Sequence, residues 1–170
     1  MDKKIVITIA RGYGSGGKTV GQMLSKELGI PFYDRQILYM ASDDSGINVG
    51  LFQKNDEDVN KGLFDPSTHK YLGGIIPPED SKFTSKENLF NYQAKIIKEL
   101  ASNESCVIVG RCADFILKDN PNVIKVFIWA PHQSCVETVM DMFDVSEKEA
   151  DKKIRKIDRH RSEYYRYYTC

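Results

Sequence analysis

An α/β fold, a parallel sheet flanked by helices, is predicted by three observations. Short apolar runs of strand length at residues 4–10, 106–109 and 123–129 alternate with stretches whose apolar residues recur at helical spacing. The first run leads straight into a glycine-rich loop that opens a helix. Charged residues stand just past the ends of the apolar runs, where open sheets of this class bind ligands.

The loop comes first. Arg11 is followed by Gly12-Tyr13-Gly14-Ser15-Gly16-Gly17-Lys18-Thr19, which satisfies G-x-x-x-x-G-K-[ST] with outer glycines, lysine and hydroxyl in register. Glycines let such a loop curl until several backbone N–H groups aim at one anion. The N-terminus of the following helix adds partial positive charge. Lys18 can reach outer phosphates, and Thr19 can offer its hydroxyl to Mg²⁺. The expected fold is thus of the P-loop NTPase type. A flexible glycine turn with a surface lysine is the bland alternative, and the strand–loop–helix context weighs against it. Val20, Met23, Leu24 and Leu28 form the apolar spacing of the helix, which Gly29 and Pro31 end.

Pro31-Phe32-Tyr33 reads as a second strand or its lead-in. Asp34 and Arg35 follow, then Ile37, Leu38 and Ala41 at helical spacing. Asp34 suits either a helix N-cap or a ligand position at the strand end. Residues 43–84 differ: Ser45-Gly46, Asn55-Asp56-Glu57-Asp58, Gly73-Gly74 and Pro77-Pro78 interrupt the pattern, and Leu51-Phe52, Leu63-Phe64 and Ile75-Ile76 are isolated apolar pairs. About forty residues is too long for a bare loop in a compact domain, so an inserted substructure that moves against the core is expected; a surface excursion without a role is the alternative.

Ser85 caps a helix striped by Leu89, Phe90, Gln93, Ala94, Ile97, Leu100 and Ala101. Residues 106–109 read as a strand buried on both faces, ending in Gly110-Arg111. An arginine there lies in the ligand crevice and suits two-point contact with a phosphate. Asp114 can pair with Arg111, cap the next helix or hold a magnesium-bound water. A short helix (Ala113, Phe115, Ile116, Leu117), the strand at 123–129 and a helix carrying Val136, Val139, Met140 and Phe143 follow. Ser146-Glu147-Lys148-Glu149 reads as a capping box for a last helix striped by Ala150, Ile154, Ile157, Arg161, Tyr164 and Tyr168. Most lysines here belong to a solvated face, but Arg161 falls on the inward stripe and needs an anionic partner. The tyrosines read as packing residues.

With 170 residues, one domain is expected. Lys+Arg and Asp+Glu balance at 24 each, so no global polycation argues for a nucleic-acid polymer. No membrane span and no signal-peptide pattern is seen. Cys106, Cys112, Cys135 and Cys170 lack C-x-x-C spacing and read as reduced thiols of a cytoplasmic protein. His69, His132 and His160 are isolated, without a triad or metal pattern.

Four segments together resemble a known family: the loop 12–19, Pro-Phe-Tyr-Asp-Arg at 31–35, Gly-Arg-x-x-Asp at 110–114, and Asp-x-x-Arg-x-x-Tyr-Tyr-x-x-Tyr-Thr at 158–169. In this order they are similar to the cytidylate kinase-like family of nucleoside monophosphate kinases. The resemblance implies a single kinase domain over residues 1–170, with a core of 1–42 and 86–145, an inserted monophosphate-binding region at 43–85 and a lid helix at 146–168. It implies ATP and Mg²⁺ as cofactors, CMP or dCMP as acceptor, and small nucleotides as partners. Gly12, Tyr13, Gly14, Ser15, Gly16, Gly17, Lys18 and Thr19 would hold the ATP phosphates, with the metal at Thr19 and Arg159 contributing from the lid. Asp34, Arg35 and Arg111 would face the acceptor, reached also by Asp158 and Arg161. Lys18, Arg155, Asp158 and Arg161 would serve the transfer. Two departures stand out. Cys135 and Thr138 occupy a helix where the family often carries arginines. The family pattern also continues past the position of Cys170, so its C-terminal strand is expected to be absent from the sheet.

Overall fold

The computed structural model describes residues 4–57 and 73–170. Strand β1 (Val6–Arg11) leads into helix α1 (Gly17–Leu28); β2 (Phe32–Tyr33), α2 (Gln36–Ser45), α3 (Val49–Glu57) and α4 (Lys86–Asn103) follow. The chain then runs through β3 (Cys106–Val109), α5 (Ala113–Ile116), β4 (Val123–Ile128), α6 (His132–Phe143) and α7 (Glu147–Thr169). Among the described residues the sheet has four strands in the order β2-β3-β1-β4, all parallel. The α/β class is as the sequence predicts. β1 is central: Val6 lies opposite Cys106 on one side and Val123 on the other, and Arg11 closes the register opposite Ile128.

Strand alternation divides the core in two. Val6, Cys106 and Ile108 pack with Ile37, Leu38, Phe90, Ile97 and Leu100. Ile7, Ile9, Val107 and Val109 meet Leu24 and Phe32 on the opposite face. All four residues of β3 are buried, as a strand covered on both faces requires. The predicted stripe of α4 is buried throughout, and the Ser85 hydroxyl accepts the Asn88 amide as its N-cap.

Helix α1 corrects the sequence expectation. Val20, Met23 and Leu28 are exposed, and the residues it buries are Gly17 and Gly21. At Gly21 an added Cβ would lie 3.0 Å from the Phe32 ring and 3.1 Å from Ile9. The helix thus approaches the sheet through these glycines beside Leu24, and the rest of the apolar spacing, Val20, Met23 and Leu28, faces away. Asp34 is not the cap of α2 either: Arg35 holds that position, with no side-chain cap, and Asp34 faces Lys18.

Within the interrupted stretch, α3 buries Phe52 in the main core. Buried Asn88 accepts the Ile76 amide and donates to the Ile76 and Phe83 carbonyls, tying the segment before α4 to that helix. Asp58, Leu63-Phe64 and His69 lie outside the described residues. The capping box forms, with Ser146 and Glu149 bonded reciprocally. Tyr168 stacks on Phe90 with ring centroids 3.9 Å apart, and Tyr164 and Tyr167 pack against it, so these tyrosines of α7 do pack; Tyr165 is exposed instead. Cys106, Cys112 and Cys135 are buried free thiols, and Cys170 is exposed. Among the described residues no helix is long and apolar enough to cross a membrane.

Candidate active site

The site is built where β1, β2 and β3 end. Gly12 donates its amide to the Ile128 carbonyl, so the loop leaves the sheet anchored to β4. Gly14 and Gly16 then turn it through left-handed conformations, φ 80° and 79°. Gly14 also sits against α6, where an added Cβ would lie 2.7 Å from the Cys135 carbonyl oxygen. Ser15 closes the turn by donating its hydroxyl to the Gly12 carbonyl at 2.8 Å.

Past the turn, the amides of Gly16, Gly17, Lys18 and Thr19 make no hydrogen bond among the described residues. These are the orphan donors of a helix start, and four of them around a glycine turn fit a polyphosphate. Thr19 is exposed beside them, as the position of a magnesium ligand requires. Lys18 extends from the same turn and places its ammonium 3.0 Å from Asp34.

Helix α7 reaches over the loop from the other side. Asp158 accepts the Tyr13 amide at 2.8 Å, a contact spanning 145 positions of sequence. Arg161 donates to the Arg11 carbonyl at 3.2 Å, lies 3.9 Å from Asp158, and stands over the Tyr13 ring at 5.5 Å. This answers the sequence argument that an inward Arg161 needs an anionic partner: it has a carboxylate, a carbonyl and an aromatic face. Burial lowers its pKa and raises that of Tyr13.

Arg111 follows β3 in a left-handed conformation, φ 61°, and Cys112 shares it at φ 53°. Two successive non-glycine residues in this region are costly, and such strain collects at ligand sites. The Arg111 side chain is 7% exposed and binds Asp56 of α3 at 2.5 Å. Asp114 takes none of the roles that its position suggested toward Arg111 or the helix cap: it accepts the Tyr165 hydroxyl at 2.9 Å. His160 contacts the Asp56 carbonyl, so α7 and α3 meet beside Arg111.

The structure therefore brings the loop, Lys18, Asp34, Arg111, Asp158 and Arg161 to one edge of the sheet. Other candidates stand apart. Arg35 is exposed at the start of α2, Arg159 is exposed on α7, and neither has an ion pair among the described residues. Arg155 is exposed and held by Asp151 at 2.9 Å. Thr138 donates back to the Ser134 carbonyl, and Cys135 is buried against Gly14. Sequence reasoning missed two residues. Asp56 lies in an acidic run that reads as a pattern breaker. Arg11 reads as the residue between strand and loop, although a cation ending an apolar strand is itself a signal.

Residues 6–170 match the cytidylate kinase-like family. The chain belongs to the cytidylate kinase-like family. No curated protein matches it. Among solved structures, an uncharacterized protein from Eubacterium ventriosum ATCC 27560 is similar at 29% identity and a TM-score of 0.67, over 97% of this chain and 78% of that one. A gluconokinase from Sinorhizobium meliloti 1021 shares the fold at 16% identity and a TM-score of 0.50, over 92% of this chain and 75% of that one. The cytidylate kinase-like chain thus has the fold of a P-loop kinase, with its basic side chains at the edge where such folds bind nucleotides.

Proposed function

We propose that this chain transfers the γ-phosphoryl group of ATP to a nucleoside monophosphate, CMP or dCMP, in the cytoplasm. The observation that carries this reading is convergence: unbonded loop amides and Lys18 meet Arg111 and Arg161, which come from distant parts of the sequence. Small nucleotides, and no nucleic-acid polymer, are the proposed partners.

In this reading Gly12 to Thr19 seat the ATP phosphates, and Thr19 holds Mg²⁺. Bound there, the ion would supply neutralisation of the negative charge that develops in phosphoryl transfer. The acceptor's phosphate oxygen is already anionic near neutral pH, so no strong base is required. Lys18 and Arg161 stabilise charge on the transferring group, a contribution that reaches roughly 10³-fold for arginines so placed. Asp158 holds α7 down on the loop and orients Arg161. Arg111 takes the acceptor phosphate and Asp34 flanks the same crevice, while Arg35, exposed at the start of α2, and Arg155 and Arg159, exposed on α7, act from its rim. Closure of α7 over the loop excludes water and so limits ATP hydrolysis.

A second reading has one specific support. The Asp34 carboxylate lies 3.0 Å from the Lys18 ammonium at the end of β2, where it can accept a proton from an alcohol. A small hydroxyl metabolite would then be the acceptor. A coupled ADP-release assay over CMP, dCMP, UMP, AMP, gluconate and shikimate separates the two. Turnover with CMP or dCMP that is lost in Lys18→Ala supports the first reading. Turnover with an alcohol alone supports the second, and ATP binding without turnover on any acceptor refutes both.

A further inference from the structure

Among the described residues, the half-buried cations at the sheet's carboxyl edge are Arg11, Arg111 and Arg161, and Arg11 lacks a partner. Lys18 faces Asp34 at 3.0 Å, Arg111 holds Asp56 at 2.5 Å, and Arg161 lies 3.9 Å from Asp158. The guanidinium of Arg11 has no hydrogen bond and no ion pair among the described residues. Burial, then the nearby Arg161, pushes its pKa down to about 10; Arg111 adds to the repulsion, and Asp34 and Asp56 offset part of it. The side chain is therefore charged at neutral pH, partly buried, and short of an anion.

Its position is built, not incidental. An added Cβ at Gly17 would lie 2.5 Å from the Arg11 Cβ and 3.0 Å from its Cγ. An added Cβ at Gly110 would lie 2.5 Å from Arg11 Nη1, 3.2 Å from Cζ and 3.3 Å from Nη2. The first residue of α1 is bare where the stem of Arg11 passes, and the residue after β3 is bare where its head lies. Two glycines thus make room for one side chain and aim it across the ends of β1 and β3, toward the backbone that carries Arg111. A mere packing role would be met at lower cost by an apolar residue, because an unpaired guanidinium is penalised by burial.

We propose that Arg11 is a ligand of the acceptor's phosphate monoester and holds it jointly with Arg111. The proposal rests on the nucleotide-acceptor reading above and adds a residue to it. A dianion between two planar forks matches the donor geometry of arginine, and with Asp34 matched by Lys18 and Asp56 by Arg111, Arg11 leaves the cluster with a net positive charge. The ATP phosphates are matched by Lys18 and the loop amides and need no contact from Arg11.

The test uses the full chain saturated with Mg²⁺ and a non-hydrolysable ATP analogue, titrated with inorganic phosphate and followed through the arginine side-chain N–H resonances. Wild type is expected to bind phosphate at Arg11 and Arg111. Arg11→Gln is expected to weaken that binding roughly 10- to 100-fold, the size of a lost charge-assisted bond, and to leave analogue affinity unchanged. Arg11→Lys, which keeps the charge and loses the fork, is expected to recover part of it, and it is read alone if Arg11→Gln fails to fold. Phosphate binding unaltered in both variants overturns the proposal. So does a loss that falls on the analogue, or a wild type whose analogue complex binds no phosphate. Failure of the kinase reading itself looks different: phosphate binds through Arg11, yet no monophosphate releases ADP.

Discussion

Gly14 and Gly16 form an internal control for how the loop is held. Both adopt nearly the same left-handed backbone, φ 80° and 79°, but only Gly14 has a neighbour: its missing Cβ would lie 2.7 Å from the Cys135 carbonyl oxygen and 3.1 Å from the Cys135 Cα. For a Cβ added at Gly16 no contact lies within 4 Å among the described residues. Alanine at residue 16 therefore carries only the conformational penalty, about 1–2 kcal/mol. Alanine at residue 14 adds the displacement of backbone in α6, about 1–3 kcal/mol for an overpacked site, for a sum of about 2–5 kcal/mol. The smaller unfolded-state entropy of alanine returns about 0.4–1 kcal/mol to each variant and cancels in the comparison. For a chain of this size each kcal/mol moves the melting midpoint by about 2–4 °C, so after that return Gly16→Ala should lose about 0–6 °C and Gly14→Ala about 2–18 °C. Urea denaturation followed by circular dichroism, with calorimetry beside it, measures both. Equal losses in the two variants would falsify the claim that α6 is seated on the loop through Gly14.

Three further outcomes follow from the same geometry. Lys18→Ala should cut ADP release by roughly 10²- to 10³-fold; its side chain is 58% exposed, so the melting midpoint should stay within the change from about 0.5 kcal/mol, and a large fall in stability would refute the placement of Lys18 at the open site. Asn88→Ala should cost about 2–4 kcal/mol in urea denaturation, because buried Asn88 satisfies an amide and two carbonyls of the preceding segment; a neutral variant would show that this segment is held by other contacts. On acidification, Glu149 is held below its ordinary 4.5 by hydrogen bonds from Ser146, and Asp151 is lowered by Arg155 and then His132. A depressed carboxylate contributes stability that is present above its unfolded pKa and lost as pH falls through the lower folded one. The anchoring of α7 should thus weaken below about pH 4.5, and the double variant Glu149→Gln, Asp151→Asn should melt below wild type at neutral pH and converge with it in acid, flattening that part of the melting profile; identical profiles would refute it.

What could be read from the sequence is what depends on neighbours in the sequence. The glycine loop, the Ser85 cap, the Ser146–Glu149 box and the doubly buried strand at 106–109 are each set by a few adjacent residues. The site depends on distant pairs: Arg111 with Asp56 across 55 positions, and Tyr13 with Asp158 across 145. No local pattern announces such partners, so Asp56 passes as a loop residue. Arg11 is illegible in the sequence for a related reason. Its significance comes from two glycines, Gly17 and Gly110, that surround it only once the strands are side by side. Helix α1 shows a different failure: apolar spacing marks a face, but close approach to a sheet is made by small residues, and hydropathy does not see them.

Strand β4 is paired on one side only among the described residues, by β1. Phe127 is 67% exposed on it, and Trp129, just past its end, is 73% exposed and is the only tryptophan of the chain. An open row of amides and carbonyls beside aromatic surface is a template for pairing with another strand. The lone indole turns that liability into a reporter: its emission shifts to the blue and resists quenching by iodide whenever something covers this flank, so simple fluorescence against protein concentration reveals self-pairing before any precipitate forms.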